Sequence, residues 1–139
     1  DHNGIEKKYE IIQFLKENNI EVLDLSPNNT PIDDYPDYAK LVCENINTKE
    51  SDLGVLMCGT GIGMSIAANK ISGIRCAHVT SIEEAKLAKE HNNANIIAIS
   101  YKKDIEELKK IVLTFANTSF SNEERHIRRI NKIKEMEQL

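Results

Sequence analysis

A single cysteine stands at the mouth of a glycine loop. In DLGVLMCGTGIGMSIAANK, residues 52–70, an apolar run from Leu53 to Met57 stops at Cys58, and glycines follow at 59, 61 and 63. Glycine after a strand lets the backbone turn sharply with its N–H groups outward, and a helix beginning there adds partial positive charge, so GTGIG is an anion cradle by construction. A thiol in that place has its thiolate stabilised, and its pKa is expected below the roughly 8.5 of a free thiol. Two chemistries use such a pair. One is acyl transfer, with an oxyanion hole and a histidine base; the other is proton abstraction beside a carbonyl, with the cradle holding an enediolate. The residues by themselves leave that choice open. They do exclude two nucleotide loops: Met64 stands where GxGxxG requires glycine, and no Gly-Lys-Ser/Thr follows. The plain alternatives are a small buried hydrophobe ending a strand and a tight strand-to-helix turn.

Other candidates are scattered along the chain. His91 falls at a predicted helix C-terminus, where an imidazolium is favoured and Asn92 could simply cap. RHIRR at 125–129 is a local basic cluster in a chain of formal charge −4, and such a run is ordinarily a solvated helix face. Tyr35 precedes Pro36 in a turn-rich stretch, and His2 neighbours a helix start. The three cysteines, Cys43, Cys58 and Cys76, form no CxxC pair, so neither a disulfide framework nor a zinc site is indicated and reduced thiols in the cytoplasm are expected.

These residues must be positioned by alternating elements. IEKKYEIIQFLKENN carries a helical period, IEVLDL reads as a short strand, and SPNNTPIDDYP is turn-rich. A helix from Asp37 to about Thr48 precedes the strand ending at Cys58, and another covers about Ile62 to Lys70. IRCAHV is strand-like, SIEEAKLAKEHN is a helix with Ser81 as N-cap in a Ser-x-x-Glu box, and ANIIAIS is a strand. KDIEELKKIVLTFANT and a last segment from near Ser121 are helical. This alternation is the pattern of a parallel sheet covered on both faces, in a single domain over residues 1–139. Asp1-His2-Asn3-Gly4 sits where a strand would hand over to the first helix, so the four visible strands imply a fifth before Asp1. In such sheets ligands bind beyond the strands' carboxyl ends, where Asp1, His2, Ser26, Cys58, Thr60, His78 and Ser100 all fall.

Composition narrows the partners. With 40% hydrophobic and 29% charged residues and net charge −4, the chain is an ordinary globular one without the basic face a nucleic-acid binder needs. No apolar run approaches a membrane span and no signal-peptide pattern is present.

Taken together, CGTGIGMSIAANK, DHNG, DYPDYA at 34–39, GIRCA at 73–77, KEHNNANII at 89–97 and RHIRR resemble, in order, the type B ribose-5-phosphate isomerases. That family includes isomerases of galactose 6-phosphate and allose 6-phosphate. The resemblance implies a Rossmann-like α/β/α sandwich with a five-stranded parallel sheet, and metal- and cofactor-free interconversion of ribose 5-phosphate and ribulose 5-phosphate. It also implies a homodimer, alone or paired into a dimer of dimers, with shared active sites. Cys58 would move the proton between C1 and C2, the amides of Gly59, Gly61, Ile62 and Gly63 would hold the enediolate, and Thr60 would assist at the hydroxyls. Asp1 and Tyr35 would contact the sugar, His91 would open the furanose ring with Asn92 beside it, and His2, Arg125 and Arg129 would grip the phosphate. The phosphate is thereby moved from the glycine cradle to the basic cluster. Two departures stand out: Lys102 replaces the family's arginine after the last strand, and Glu123-Glu124 replace glycines before Arg125-His126. The alternatives are an isomerase of a six-carbon sugar phosphate and a non-catalytic sugar-phosphate-binding protein. A thiol hydrolase is disfavoured by the missing nucleophile elbow.

Overall fold

The computed structural model describes residues 2–28, 30 and 32–137, without the side chains of His2 and Asn3. The expected roles of Asp1 and of the His2 side chain therefore lie outside the described residues. In chain order the elements are α1 (His2–Glu17), α2 (Tyr35–Asn47), β1 (Gly54–Cys58), α3 (Ile62–Ala68), β2 (Cys76–His78), α4 (Ile82–Asn92), β3 (Ile96–Ser100), α5 (Ile105–Asn117) and α6 (Glu124–Met136). The strands form a parallel sheet in the order β1-β3-β2. Gly54 to Cys58 lie opposite Ile96 to Ser100, and Cys76 to His78 opposite Ile96 to Ala98.

The central strand shows why the fold has three layers. Ile96 to Ile99 are all buried, as a strand covered on both faces requires, and their side chains alternate. Ile97 and Ile99 enter a cluster with Leu15 of α1, Ala85 and Ala88 of α4, and Leu108, Ile111 and Phe115 of α5. Ile96 and Ala98 enter a second cluster with Ala39 and Cys43 of α2 and Met64 and Ala68 of α3. Helices therefore cover both faces of the sheet. Among the described residues no helix is long and apolar enough to cross a membrane.

Local chemistry sets the helix ends. Ser81 Oγ accepts the Glu84 N–H at 3.1 Å, as the N-cap pattern predicts. The Glu84 carboxylate reaches back one residue further than a reciprocal box requires, to the Thr80 N–H at 2.7 Å. At the other end of α4, Asn93 adopts the left-handed conformation with φ 44°. The Arg75 guanidinium closes that end, with Nε donating to the Asn92 carbonyl at 3.1 Å and Nη2 to the Asn93 carbonyl at 2.8 Å. Helix α2 starts at Tyr35, before the expected Asp37, because Pro36 fits the first helical turn. Helix α6 starts at Glu124, after the expected Ser121.

The strand count differs from the expectation. IEVLDL at 20–25 pairs with no strand among the described residues, so the sheet shows three strands where the sequence pattern marks four and implies a fifth. Alternating apolar residues record which side of a segment is buried, and Ile20 and Val22 do pack on the core. They do not record backbone pairing, which requires a neighbour within about 4.8 Å. Instead a cleft of about 810 Å³ adjoins β1 and this segment, lined by Ile11, Val22, Leu25, Val55, Met57 and Phe115 among others.

Candidate active site

Cys58 is the last residue of β1, and the turn to α3 folds back over it. The Gly61 N–H donates to Cys58 Sγ at 3.1 Å. That bond needs Gly61 at φ 82°, a conformation side chains rarely adopt. A Cβ at this position would also stand 2.9 Å from His78 Cδ2 and 3.0 Å from the Ile99 carbonyl carbon. The rest of the loop is pinned from neighbouring strands. Ser100 Oγ donates to the Gly59 carbonyl at 2.7 Å and receives the Lys102 N–H at 3.1 Å. His78 Nε2–H donates to the Thr60 carbonyl at 2.9 Å, and Thr60 Oγ1 receives the Ile62 N–H at 3.1 Å.

With the Gly61 and Ile62 N–H groups turned onto Cys58 Sγ and Thr60 Oγ1, the amides of Gly59, Thr60 and Gly63 are the ones left for a ligand among the described residues. Tyr35 lies over Gly63 so closely that a Cβ there would be 2.5 Å from the phenol oxygen. Lys102 and Tyr101 flank Gly59, with Nζ 3.9 Å and the hydroxyl 3.8 Å from where its Cβ would be. Cys58, Gly59, Thr60, Gly61, Ile62, Gly63, Tyr35 and Lys102 thus gather at the carboxyl end of the sheet. Tyr101, which also packs against Gly4, was missed because in sequence it is one more residue of a polar turn.

The other two thiols are of a different kind. Cys43 and Cys76 are buried in the α2–α3 side of the core, and burial pushes their pKa values up to about 11 and about 12. They behave as small hydrophobes at neutral pH.

A second group forms at the opposite end. Helix α4 runs back along the sheet from the end of β2 to the start of β3, which carries His91 and Asn92 to the strands' amino end. There the exposed His91 ring lies against that of His126 on α6, with centroids 4.5 Å apart and planes inclined by 37°. Arg125 and Arg129 project from the same helix, with Arg125 paired to Glu123 at 2.7 Å and Arg128 to Glu124 at 2.9 Å. Arg129 has no ion-pair partner among the described residues. The two glutamates that replace expected glycines therefore neutralise part of the basic cluster. Five residues of β3 separate the two groups, roughly 15 Å at strand rise, so one chain does not bring His91 to Cys58. Arg75 and His126 were not singled out from the sequence; each is one basic residue whose partners are distant or implicit until the helix ends are placed.

A thiol receiving a backbone N–H beside an open amide cradle suits a base that takes a proton next to a carbonyl. Residues 1–133 match the ribose/galactose isomerase family, and the chain belongs to it. The ribose-5-phosphate isomerase B of Mycobacterium leprae is 38% identical over 139 residues, covering 99% of this chain and 86% of that protein. The type B ribose 5-phosphate isomerase structure from Trypanosoma cruzi superposes with a TM-score of 0.93 at 40% identity, covering 99% of this chain and 94% of that one. The Mycoplasma genitalium ribose-5-phosphate isomerase B, solved with ribulose 5-phosphate bound, gives a TM-score of 0.91 at 42% identity, covering 99% and 92%.

Proposed function

We propose that this chain is an aldose–ketose isomerase that interconverts ribose 5-phosphate and ribulose 5-phosphate with Cys58 as its base. The observation that carries the reading is the Gly61 N–H on Cys58 Sγ, which holds the sulfur at the mouth of a cradle able to take the charge of an enediolate. His91, protonated, gives its proton to the ring oxygen as the C1–O4 bond breaks, and the anomeric hydroxyl releases a proton to solvent to leave the aldehyde. The Cys58 thiolate then takes the C2 proton, and the electron pair moves through the C1–C2 bond onto O1, where the amides of Gly59, Thr60 and Gly63 hold it. Thr60 assists transfer of the O2 proton to O1. The Cys58 thiol returns its proton to C1 as the C2 carbonyl forms, so the net change is one hydrogen moved from C2 to C1 and one from O2 to O1.

The reading includes a homodimer. Cys58 and His91 belong to opposite ends of the sheet, so a twofold arrangement that sets one chain's carboxyl end against the other's amino end supplies a complete site. In that arrangement Tyr35 and Lys102 contact the sugar beside Cys58, while Asn92, Arg125 and Arg129 arrive from the partner chain, with the phosphate on the arginines. Residues 1–139 form one sugar-phosphate isomerase domain working in the cytoplasm. A strand laid in the cleft beside β1, flanked by residues 20–25, would complete a five-stranded sheet.

The test is turnover of ribose 5-phosphate against allose 6-phosphate, with ribulose 5-phosphate detected by a coupled reaction. Conversion of ribose 5-phosphate is expected to dominate. Conversion of the six-carbon sugar alone would reassign the substrate, and binding without conversion of either would make the chain a sensor.

A further inference from the structure

The proposed chemistry gives His126 no part, yet it is one of two buried polar side chains among the described residues, at 5% exposure. Its Nδ1 lies 2.8 Å from Ser121 Oγ. Ser121 is held in turn: its N–H donates to the Glu90 carbonyl at 3.1 Å, one residue before His91, and its Oγ receives the Glu123 N–H at 3.3 Å. With an N–H already on that oxygen, the arrangement that uses every donor has the serine hydroxyl donating to Nδ1. The connection before α6 is thereby fastened to the end of α4, and a buried, hydrogen-bonded ring is set against the exposed ring of His91. An imidazole on an exposed helix end turns freely about a broad torsion. A fixed ring beneath it removes that freedom before substrate arrives, which is the contribution orientation makes to rate.

We infer that His126, anchored by Ser121, is a positioning residue: its buried ring is the platform that sets the orientation of the His91 imidazole. The inference rests on the reading of His91 as the ring-opening group. The charges around the platform agree with the role. Burial, then the positive charges of Arg125 and His91, hold the His126 pKa below its ordinary value; Glu123 opposes them and Arg129 adds to them. From α4 the ring meets His91, from the preceding turn Glu123, and from its own helix Arg125 and Arg129. A lowered pKa disfavours a further positive charge on the ring beneath His91.

The experiment uses a difference between the two sugars. Ribose 5-phosphate closes to a furanose, whereas ribulose 5-phosphate, with its C5 oxygen esterified, cannot. Ring opening is needed to convert the first but not to exchange the C1 hydrogen of the second. In the full chain, His126→Ala is expected to slow ribose 5-phosphate conversion about tenfold with KM little changed. Uptake of solvent deuterium at C1 of ribulose 5-phosphate should continue at the wild-type rate. His126→Phe, which keeps a ring, should restore most of the conversion, and Ser121→Ala should show a smaller loss confined to conversion. If His126→Ala does not fold by circular dichroism, the decision passes to Ser121→Ala and His126→Phe on the same two measurements. Wild-type conversion in His126→Ala, or conversion and deuterium uptake falling in equal proportion, overturns the platform. His91→Ala, run alongside, separates the two levels: full conversion there removes the reading of His91 and the inference with it, while selective loss in His91→Ala but not in His126→Ala removes the platform alone.

Discussion

Cys58 combines partial exposure with a backbone N–H on its sulfur, while Cys43 and Cys76 are sealed in the core with their ionisation pushed upward. Cys58→Ala is therefore expected to cost roughly 10²–10⁴-fold in turnover. Circular dichroism should be unchanged, since the thiol is small and lies at the core's edge. A folded variant turning over near the wild-type rate would remove Cys58 from the mechanism. The basic cluster makes a second prediction at this scale. Arg125 is exposed on α6 and paired with Glu123, and its guanidinium has further N–H donors that an incoming phosphate can use. A charge-assisted contact contributes about 1.5–3 kcal/mol, so Arg125→Ala should raise KM for ribose 5-phosphate by roughly 10- to 150-fold. Weak turnover of unphosphorylated ribose should be untouched; equal effects on both sugars would show that this arginine is surface.

Helix α4 spans the distance between the two functional groups, with its start near His78 and its end at His91. Its N-cap is a single hydroxyl, so Ser81→Ala is expected to lower stability by about 1 kcal/mol in urea unfolding, with kcat unchanged. A loss of kcat in step with stability would mean that fraying at the start of α4 reaches its end. The packing of α6 on α4 carries a pH signature. His126 has a folded pKa below its ordinary 6.5, so below about 6.5 the unfolded chain binds a proton that the folded chain does not. Stability is then fully present above that value and falls as pH drops through it toward the lowered folded pKa. Urea midpoints at about pH 7.5 and about pH 5.5 should differ more for wild type than for His126→Phe, which has no proton to take up. Equal differences would assign the acid sensitivity to carboxylates.

At the scale of the molecule, the separation of Cys58 from His91 by the length of β3 makes assembly part of the chemistry in the proposed reading. Two inactive variants, Cys58→Ala and His91→Ala, should complement after verified subunit exchange. In a heterodimer one composite site collects both defects and the other neither, and random assortment makes about half the dimers heterodimers, so about a quarter of all sites recover. Specific activity no higher than the mean of the two parents would sink the shared site while leaving the family membership untouched.

Much of this was legible along the chain. The order of helices and strands, the Ser81 cap and the cradle after Cys58 are local consequences of side-chain period, capping chemistry and glycine, and a linear sequence records local constraints directly. The pairing of IEVLDL was not legible, because alternation marks a buried side while a ladder depends on which backbone lies alongside. Nor could the sequence show that His78, Ser100 and Tyr35 hold the cradle's shape, or that Arg75 closes the helix that presents His91: those contacts join residues 17 to 41 positions apart. The sequence by itself determined the residue types available for chemistry and the elements that carry them. Only the tertiary structure decided their company, setting Cys58 at one end of the sheet and His91, resting on His126, at the other, because parallel strands linked by helices send each helix back to the opposite end before the next strand begins.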